Sequence, residues 1–442
     1  MINRGWLRVI VVSLFTAIYS IAVSNTCPSF TKKDIAVLGN RSDVPEGWFI
    51  YAPGNTHGIY KSPLSQYDPA RIDNTGNDAV KCLDISPDGE WIVYLRSASN
   101  GGFIYIMKPD GSQRTTVPVR GVGNGFPRGT GFYHNSPKGT EILYSASWQV
   151  LRAVEVDLSS SPPQFGDHRT VIDFSDDQGS PQFHTYGWQE TIRVNGSHFF
   201  SQLVTSGEVY KLVFVTIPNN GQGIATMDNA WRFTDMPDTS IYGCGIALSF
   251  EGDRALWNPG SQGDRNCVPN RESGMDHKGF VVAPFMEKDD PQVGIHEIID
   301  EHAISVNWAP PQYRYGSPSQ VDFTGWSFTN NGRYVSGILW GEQTNDRGVW
   351  LVDWGSNTWT HLTGNMNVEC AAVHFGQSQP YSVKNPLRFN PLRTAGEYNR
   401  TTLYTISGRR IRKSSLTQKS IAGPGVYIIR NKNYNTKAVY VR

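Results

Sequence analysis

The sequence predicts an all-β protein: a β-propeller followed by a small C-terminal β-sandwich unit. Three observations carry that expectation. The 442 residues include 44 glycines, 26 prolines and 12% aromatics, with few long segments of helical period, which suits many short strands and tight turns. A strand–turn–strand unit recurs along the middle of the chain. Between an apolar N-terminal run and a distinctive tail lie about 360 residues, more than one sandwich usually holds, which favours a closed or repeating architecture.

At the N-terminus, Arg4 and Arg8 precede an apolar run from Val9 to Ala22, and Ala22-Val23-Ser24 places small residues where a signal peptidase cuts. The run is shorter than the ~20 residues that cross a bilayer. Residues 1–24 therefore read as a removed secretory signal. Cys27 follows Ser24-Asn25-Thr26, which lacks the small apolar residues that precede a lipidated cysteine. The protein is expected to be secreted or on the cell surface, with no membrane span in the mature chain.

Residues 25–385 carry the repeat. Its clearest copy is Ile85-Ser-Pro-Asp-Gly89-Glu-Trp-Ile-Val-Tyr94, an apolar strand end, a tight turn and a second apolar strand. Related units centre on Gly47, Gly139, Gly196, Gly252 and Gly332. The glycine is expected to supply the positive φ of a hairpin turn. Most spacings are near the ~40–50 residues of a four-stranded blade. Six copies imply six blades, and the 80 residues between Gly252 and Gly332 leave room for a seventh. Asn258–Asp276 reads as a polar insertion loop. Val368-Glu-Cys-Ala-Ala-Val-His-Phe375 reads as an inner strand without its own turn, expected to close the ring against the first blade.

Ser86-Pro-Asp-Gly-Glu-Trp-Ile-Val-Tyr94 followed by Ile104-Tyr-Ile-Met-Lys-Pro-Asp-Gly-Ser112 resembles the TolB-type family of WD-like propeller repeats, closely over residues 83–117 and less so in the other copies. The tail, residues 386–442, contains Leu403-Tyr-Thr-Ile-Ser-Gly-Arg-Arg-Ile-Arg412, Ala422-Gly-Pro-Gly-Val-Tyr-Ile-Ile-Arg430 and Lys437-Ala-Val-Tyr-Val-Arg442. Those three strands are similar to the C-terminal sorting domain of type IX secretion cargo. The resemblance implies the type IX machinery as a partner and removal of the tail on export.

Five cysteines suit an oxidising compartment. Cys82 and Cys370 occupy equivalent inner-strand positions, so a bridge between them is expected, with free buried thiols as the alternative. Cys244 and Cys267 flank the fifth hairpin and its insertion as a local staple, leaving Cys27 over.

A formal charge of +1 gives no electrostatic argument for nucleic acid or an anionic membrane. No nucleophile elbow, zinc-protease helix, paired Cys-x-x-Cys or phosphate loop is present. His134, His184 and His374 lie on or near inner strands, where neutral imidazoles could ligate a divalent metal, although structural roles also account for them. Certain oligosaccharide lyases look like TolB-type propellers with a histidine-bound metal there. The loop Asp173–Gly179 reads as a solvated turn or a calcium loop. Trp340, Trp350 and Trp354 fall at core spacing, whereas Trp308, Tyr313 and Tyr315 lie in a loop-like stretch suited to ligand contact. The expected function is a non-catalytic, surface-delivered binding module for a glycan, peptide or envelope protein, without a cofactor. The alternative is a secreted carbohydrate-active enzyme, such as a metal-dependent lyase, with its site at the channel mouth.

Overall fold

Alternating apolar residues of short strands can bury both faces only if each sheet is covered by a neighbour on either side. The computed structural model meets that need with small sheets set edge-inward in a ring. It describes residues 31–33, 37–54, 58–76, 78–98, 101–122, 127, 129–177, 182–183, 191–205, 208–232, 246–252, 254–257, 279–284, 304–307, 322–340, 347–376, 402–405, 410–411, 425–430 and 436–441. The chain divides into two units, Met1–Tyr381 and Ser382–Arg442.

The first unit is a β-propeller. Among the described residues it holds six antiparallel four-stranded sets, named here as blades in ring order. Blade one comprises Val368–Phe375, Gly47–Pro53, Ile59–Pro63 and Ala70–Asp73. Blade two comprises Ala79–Ile85, Ile92–Ala98, Gly101–Met107 and Thr115–Thr116. Blade three comprises Thr130–His134, Glu141–Ser145, Val150–Asp157 and Gln164–Asp173. Blade four comprises Val194–Asn195, His198–Thr205, Glu208–Thr216 and Ala230–Arg232. Blade five comprises Ile246–Leu248, Arg254–Trp257, Gly279–Pro284 and Ile304–Asn307. Blade six comprises Asp322–Phe328, Tyr334–Trp340, Gly348–Asp353 and Thr358–His361.

Contacts among the inner strands close the ring. Val368–Phe375 meets Ala79–Ile85, which meets Thr130–His134, and that strand pairs in parallel with Val194–Asn195. Blade four touches Ile246–Leu248, which touches Asp322–Phe328, which returns to Val368–Phe375. The last propeller strand thus completes the first blade, with Val368 opposite Pro53 and Phe375 opposite Gly47. The N-terminal chain adds outer strands on the way in: Thr31–Lys33 runs parallel to Ile304–Asn307 of blade five, and Val37–Leu38 parallel to Thr358–His361 of blade six.

The core lies between blades. Ile50, Ala52, Val80, Leu83, Tyr94 and Cys370 pack between blades one and two. Cys82, Trp91, Leu95, Phe132 and Tyr144 pack between blades two and three. Trp350 is fully buried, as core spacing predicts, and so is Trp359; Trp354 donates from Nε1 to the Gly332 carbonyl at 3.0 Å.

Gly89 sits at φ +74, and its N–H donates to the Ser86 carbonyl at 2.8 Å in a turn that recurs at Gly139, Gly252 and Gly332. Gly47 differs from its predicted role. It opens the second strand of blade one, whose inner partner comes from the far end of the chain, so no local hairpin exists there. A β-carbon at Gly47 would strike the His374 carbonyl and the Leu64 side chain, so close approach, not positive φ, selects glycine.

Among the described residues, the second unit, within Ser382–Arg442, holds one antiparallel sheet. Thr402–Thr405 lies between Arg410–Ile411 and Gly425–Arg430, and Thr436–Val441 flanks the latter.

Candidate functional site

The ring has two ends with different chemistry. At the turn end, where inner strands finish and the glycine turns lie, polar side chains are committed to one another. Asp84 of blade two is fully buried and accepts the Phe132 N–H at 2.9 Å through Oδ2 and Arg193 Nη2 at 2.9 Å through Oδ1. Arg193 of blade four also donates from Nη1 to the Phe328 carbonyl of blade six at 2.8 Å and lies over the Phe250 ring, 5.0 Å from its centroid. One guanidinium therefore touches blades two and six, each two places away around the ring, and so spans the channel axis.

Smaller ties complete this layer. Asn195 Nδ2 donates to the carbonyls of Ser249 and Phe250, both at 2.7 Å, and Asn195 Oδ1 accepts from Asn135 at 2.7 Å. Asn330 and Phe375 exchange two hydrogen bonds, at 3.0 and 2.8 Å, between blades six and one.

His134 belongs to this layer. Its ring meets Phe250 edge-on at 4.4 Å, its Nε2 lies 3.8 Å from Asp84 Oδ2, and neither ring nitrogen has a hydrogen-bond partner. Burial holds the imidazole below its usual range, against the pull of Asp84. Burial alone would raise the Asp84 carboxyl, but Arg193, His134 and the Phe132 N–H together hold it below the ordinary carboxylate range. Removing either partner of such a buried pair would leave the other charge uncompensated.

At the opposite, entry end, where inner strands begin, the order is looser. The ladder between Ala79–Ile85 and its neighbour slips between Val80 and Cys82, and that of Val368–Phe375 slips between Val368 and Cys370. Each slip is a β-bulge that releases one residue from the pleat. The released residues are Lys81 and Glu369, paired across blades one and two with Nζ to Oε2 at 3.2 Å. Their side chains are 23% and 20% exposed, while Val80, Cys82, Val368 and Cys370 are all below 5%. The signal was in the sequence: Val80-Lys81-Cys82 and Val368-Glu369-Cys370 are aligned steps in which a charge interrupts an apolar strand.

The expected bridge between Cys82 and Cys370 is corrected by the structure: both are free, buried thiols. Cys82 packs between blades two and three, whereas Cys370 packs between blades one and two and lies 3.6 Å from the Val80 carbonyl. Equivalent positions on neighbouring blades face the same way round the ring, so each sulfur enters the core on the far side of its own blade. Burial pushes the Cys82 thiol up to about 12 and Cys370 well above its ordinary value. Cys244, Cys267, His184, Trp308, Tyr313 and Tyr315 lie outside the described residues.

His374 does not share the surroundings of His134. Its ring lies tilted against that of Trp48, 5.5 Å between centroids, and abuts Gly89, and burial holds it below the usual histidine range. Among the described residues, no group of three or more His, Cys, Asp or Glu side chains could hold a metal ion. In the acidic loop, Asp173 Oδ1 accepts from the N–H and hydroxyl of Ser175 as in an ordinary turn, and Asp177 Oδ2 accepts the N–H of Met227, 50 residues on, at 3.0 Å. Among the described residues no helix is long and apolar enough to cross a membrane.

No family model and no curated protein matches the chain. Among solved structures, TolB from Acinetobacter baumannii is similar at 14% identity and TM-score 0.45, over 76% of this chain and 68% of that one. A putative TolB from Agrobacterium tumefaciens follows at 10% identity and TM-score 0.40, over 74% and 96%. The β-propeller domain of Cps50 (Swd1) from Myceliophteria thermophila has 9% identity and TM-score 0.37, over 92% and 96%.

Proposed function

We propose that the protein is a non-catalytic binding module, exported and delivered to the cell surface or medium, that takes a glycan, peptide or envelope protein at the entry end of its ring. The observation that carries this reading is the asymmetry between the ends. At the turn end, Asp84, Arg193, Asn195 and Asn330 are spent on holding blades together. At the entry end, Trp257 lies opposite Ile246, and Gly279 opposite Asn307, so segments 258–278 and 308–321 both leave blade five from that side. Long connections on a rigid scaffold are where ligand contacts concentrate. Trp308, Tyr313 and Tyr315 supply the aromatic contacts in this reading, and the resemblance of residues 386–442 to sorting domains supports type IX delivery.

The test is binding of the mature protein to polysaccharide and peptide arrays. Replacing Trp308 and Tyr313 by alanine should weaken binding and leave the melting curve nearly unchanged. Metal-dependent polysaccharide cleavage, abolished by changing His134, His184 or His374, would overturn the non-catalytic reading in favour of a lyase.

A further inference from the structure

Arg96, Arg114, Arg169 and Arg193 each meet a carboxylate. Arg120 and Arg152 pair with none among the described residues. Both belong to the outer notch between blades two and three, where the chain leaves Thr115–Thr116 for the inner strand Thr130–His134.

Three basic residues converge there on one phenol. The Tyr144 hydroxyl accepts the Arg120 N–H at 3.2 Å and shares a hydrogen bond with His168 Nδ1 at 2.9 Å. Arg152 Nη1 donates to the Arg120 carbonyl at 3.2 Å, while its buried Nε has no partner. Tyr144 lies opposite Arg152, and His168 opposite Val154 two residues along, so all three side chains share one face of blade three. Gly121, at φ +67, lets the loop lie against the guanidinium, because a β-carbon there would come to 2.7 Å from Arg152 Nη1. Arg120 and Gly121 are exposed, and Arg152 and His168 are half-buried, so solvent reaches the group. Burial first, then Arg120 and Arg152, hold the His168 imidazole below its ordinary range, with Asp167 opposing them. The charges acting on that ring are mostly positive, although the whole chain carries only +1.

We infer that Arg120, Arg152 and His168 form an oxyanion site on the outer rim of the ring, for a phosphate or sulfate ester carried by a surface polymer. The site goes beyond the binding proposed at the entry end and uses none of those residues. A guanidinium presents a planar fork of donors that matches such oxyanions. Two forks with no carboxylate to satisfy them leave donors for the ester oxygens, and His168 Nε2 adds another when Nδ1 accepts from Tyr144.

The experiment measures binding of the mature protein to phosphorylated dextran and to dextran sulfate at physiological ionic strength, with plain dextran as control. A charged polymer should bind and plain dextran should not, and the tighter of the two charged polymers identifies the ester. Affinity should fall at least about tenfold in Arg120→Gln and in Arg152→Met. Arg120→Lys keeps the charge without the fork and should lose most of that affinity too. Lys138→Gln removes a positive charge from an exposed turn of the same blade and should change little. Arg120 is exposed, so Arg120→Gln should melt within about 5 °C of the parent, which separates its effect from misfolding. The His168 imidazole signal in NMR, identified by its loss in His168→Gln, should titrate at higher pH with saturating inorganic phosphate, because a bound anion favours the charged ring. Equal loss of affinity in Lys138→Gln, or an unmoved His168 titration, would mean diffuse attraction and overturn the site. Binding of neither charged polymer overturns it as well, and leaves the entry-end reading to be decided by Trp308 and Tyr313.

Discussion

A β-carbon on Gly89 would have nowhere to go, because φ is +74 and the His374 ring occupies the space. Gly89→Ala should lower stability by about 1–2 kcal/mol from the backbone alone, and further because His374 must move. Adding His374→Ala should recover the second part and not the first, which a denaturation cycle would resolve. Arg193 poses a charge problem instead. Arg193→Met leaves Asp84 buried without its main partner and should cost about 3–5 kcal/mol in chemical denaturation. His361 adds a pH dependence. It stacks on Trp350 at 4.4 Å, and burial is the largest cause lowering its pKa from 6.5 to about 4. The unfolded chain therefore binds the proton more readily, so stability present above pH 6.5 is lost as pH falls towards 4, by roughly 3 kcal/mol. His361→Phe keeps a ring against Trp350 and should flatten that slope when unfolding is followed from pH 4 to 7.

Strands and turns were legible where their causes are local. A positive φ needs glycine at the turn itself, so Gly89, Gly139, Gly252 and Gly332 marked hairpins correctly. Val368–Phe375 could be recognised as an inner strand lacking its turn, and it does pair with Gly47–Pro53. The buried pair was not legible, because Arg193 reaches Asp84 across 109 residues and no local pattern distinguishes it. The expected cysteine pairing overlooks rotational symmetry: equivalent positions on adjacent blades face the same way round the ring, so Cys370 enters the core between blades one and two and Cys82 the next one. The N-terminal strap is another long-range element. Thr31–Lys33 and Val37–Leu38 cover the outer edges of blades five and six, which would otherwise present unpaired backbone groups. Deleting residues 25–38 should lower the melting temperature and promote association at those edges, measurable by light scattering.

For the whole molecule, the terminal signals predict a mature form lacking residues 1–24 and most of the chain after about 386. Intact-mass measurement on protein from the native host's medium or surface checks this, and a species retaining Val439–Arg442 would count against type IX sorting. The last described residue before the second unit is Gly376, whose N–H donates to the Glu46 carbonyl at 3.1 Å, beside the Phe375–Gly47 pair. The two chain directions that leave this ladder, back towards residue 46 and on past 376, do so at the same end of it. Tension drawn between them loads one hydrogen bond at a time and peels the ladder from Gly47 towards Pro53. Loaded from opposite ends, the same strands would share the force across every bond. The ring thus has a mechanically weak direction and a strong one, and the seam that completes it opens like a zip when pulled by its own tail.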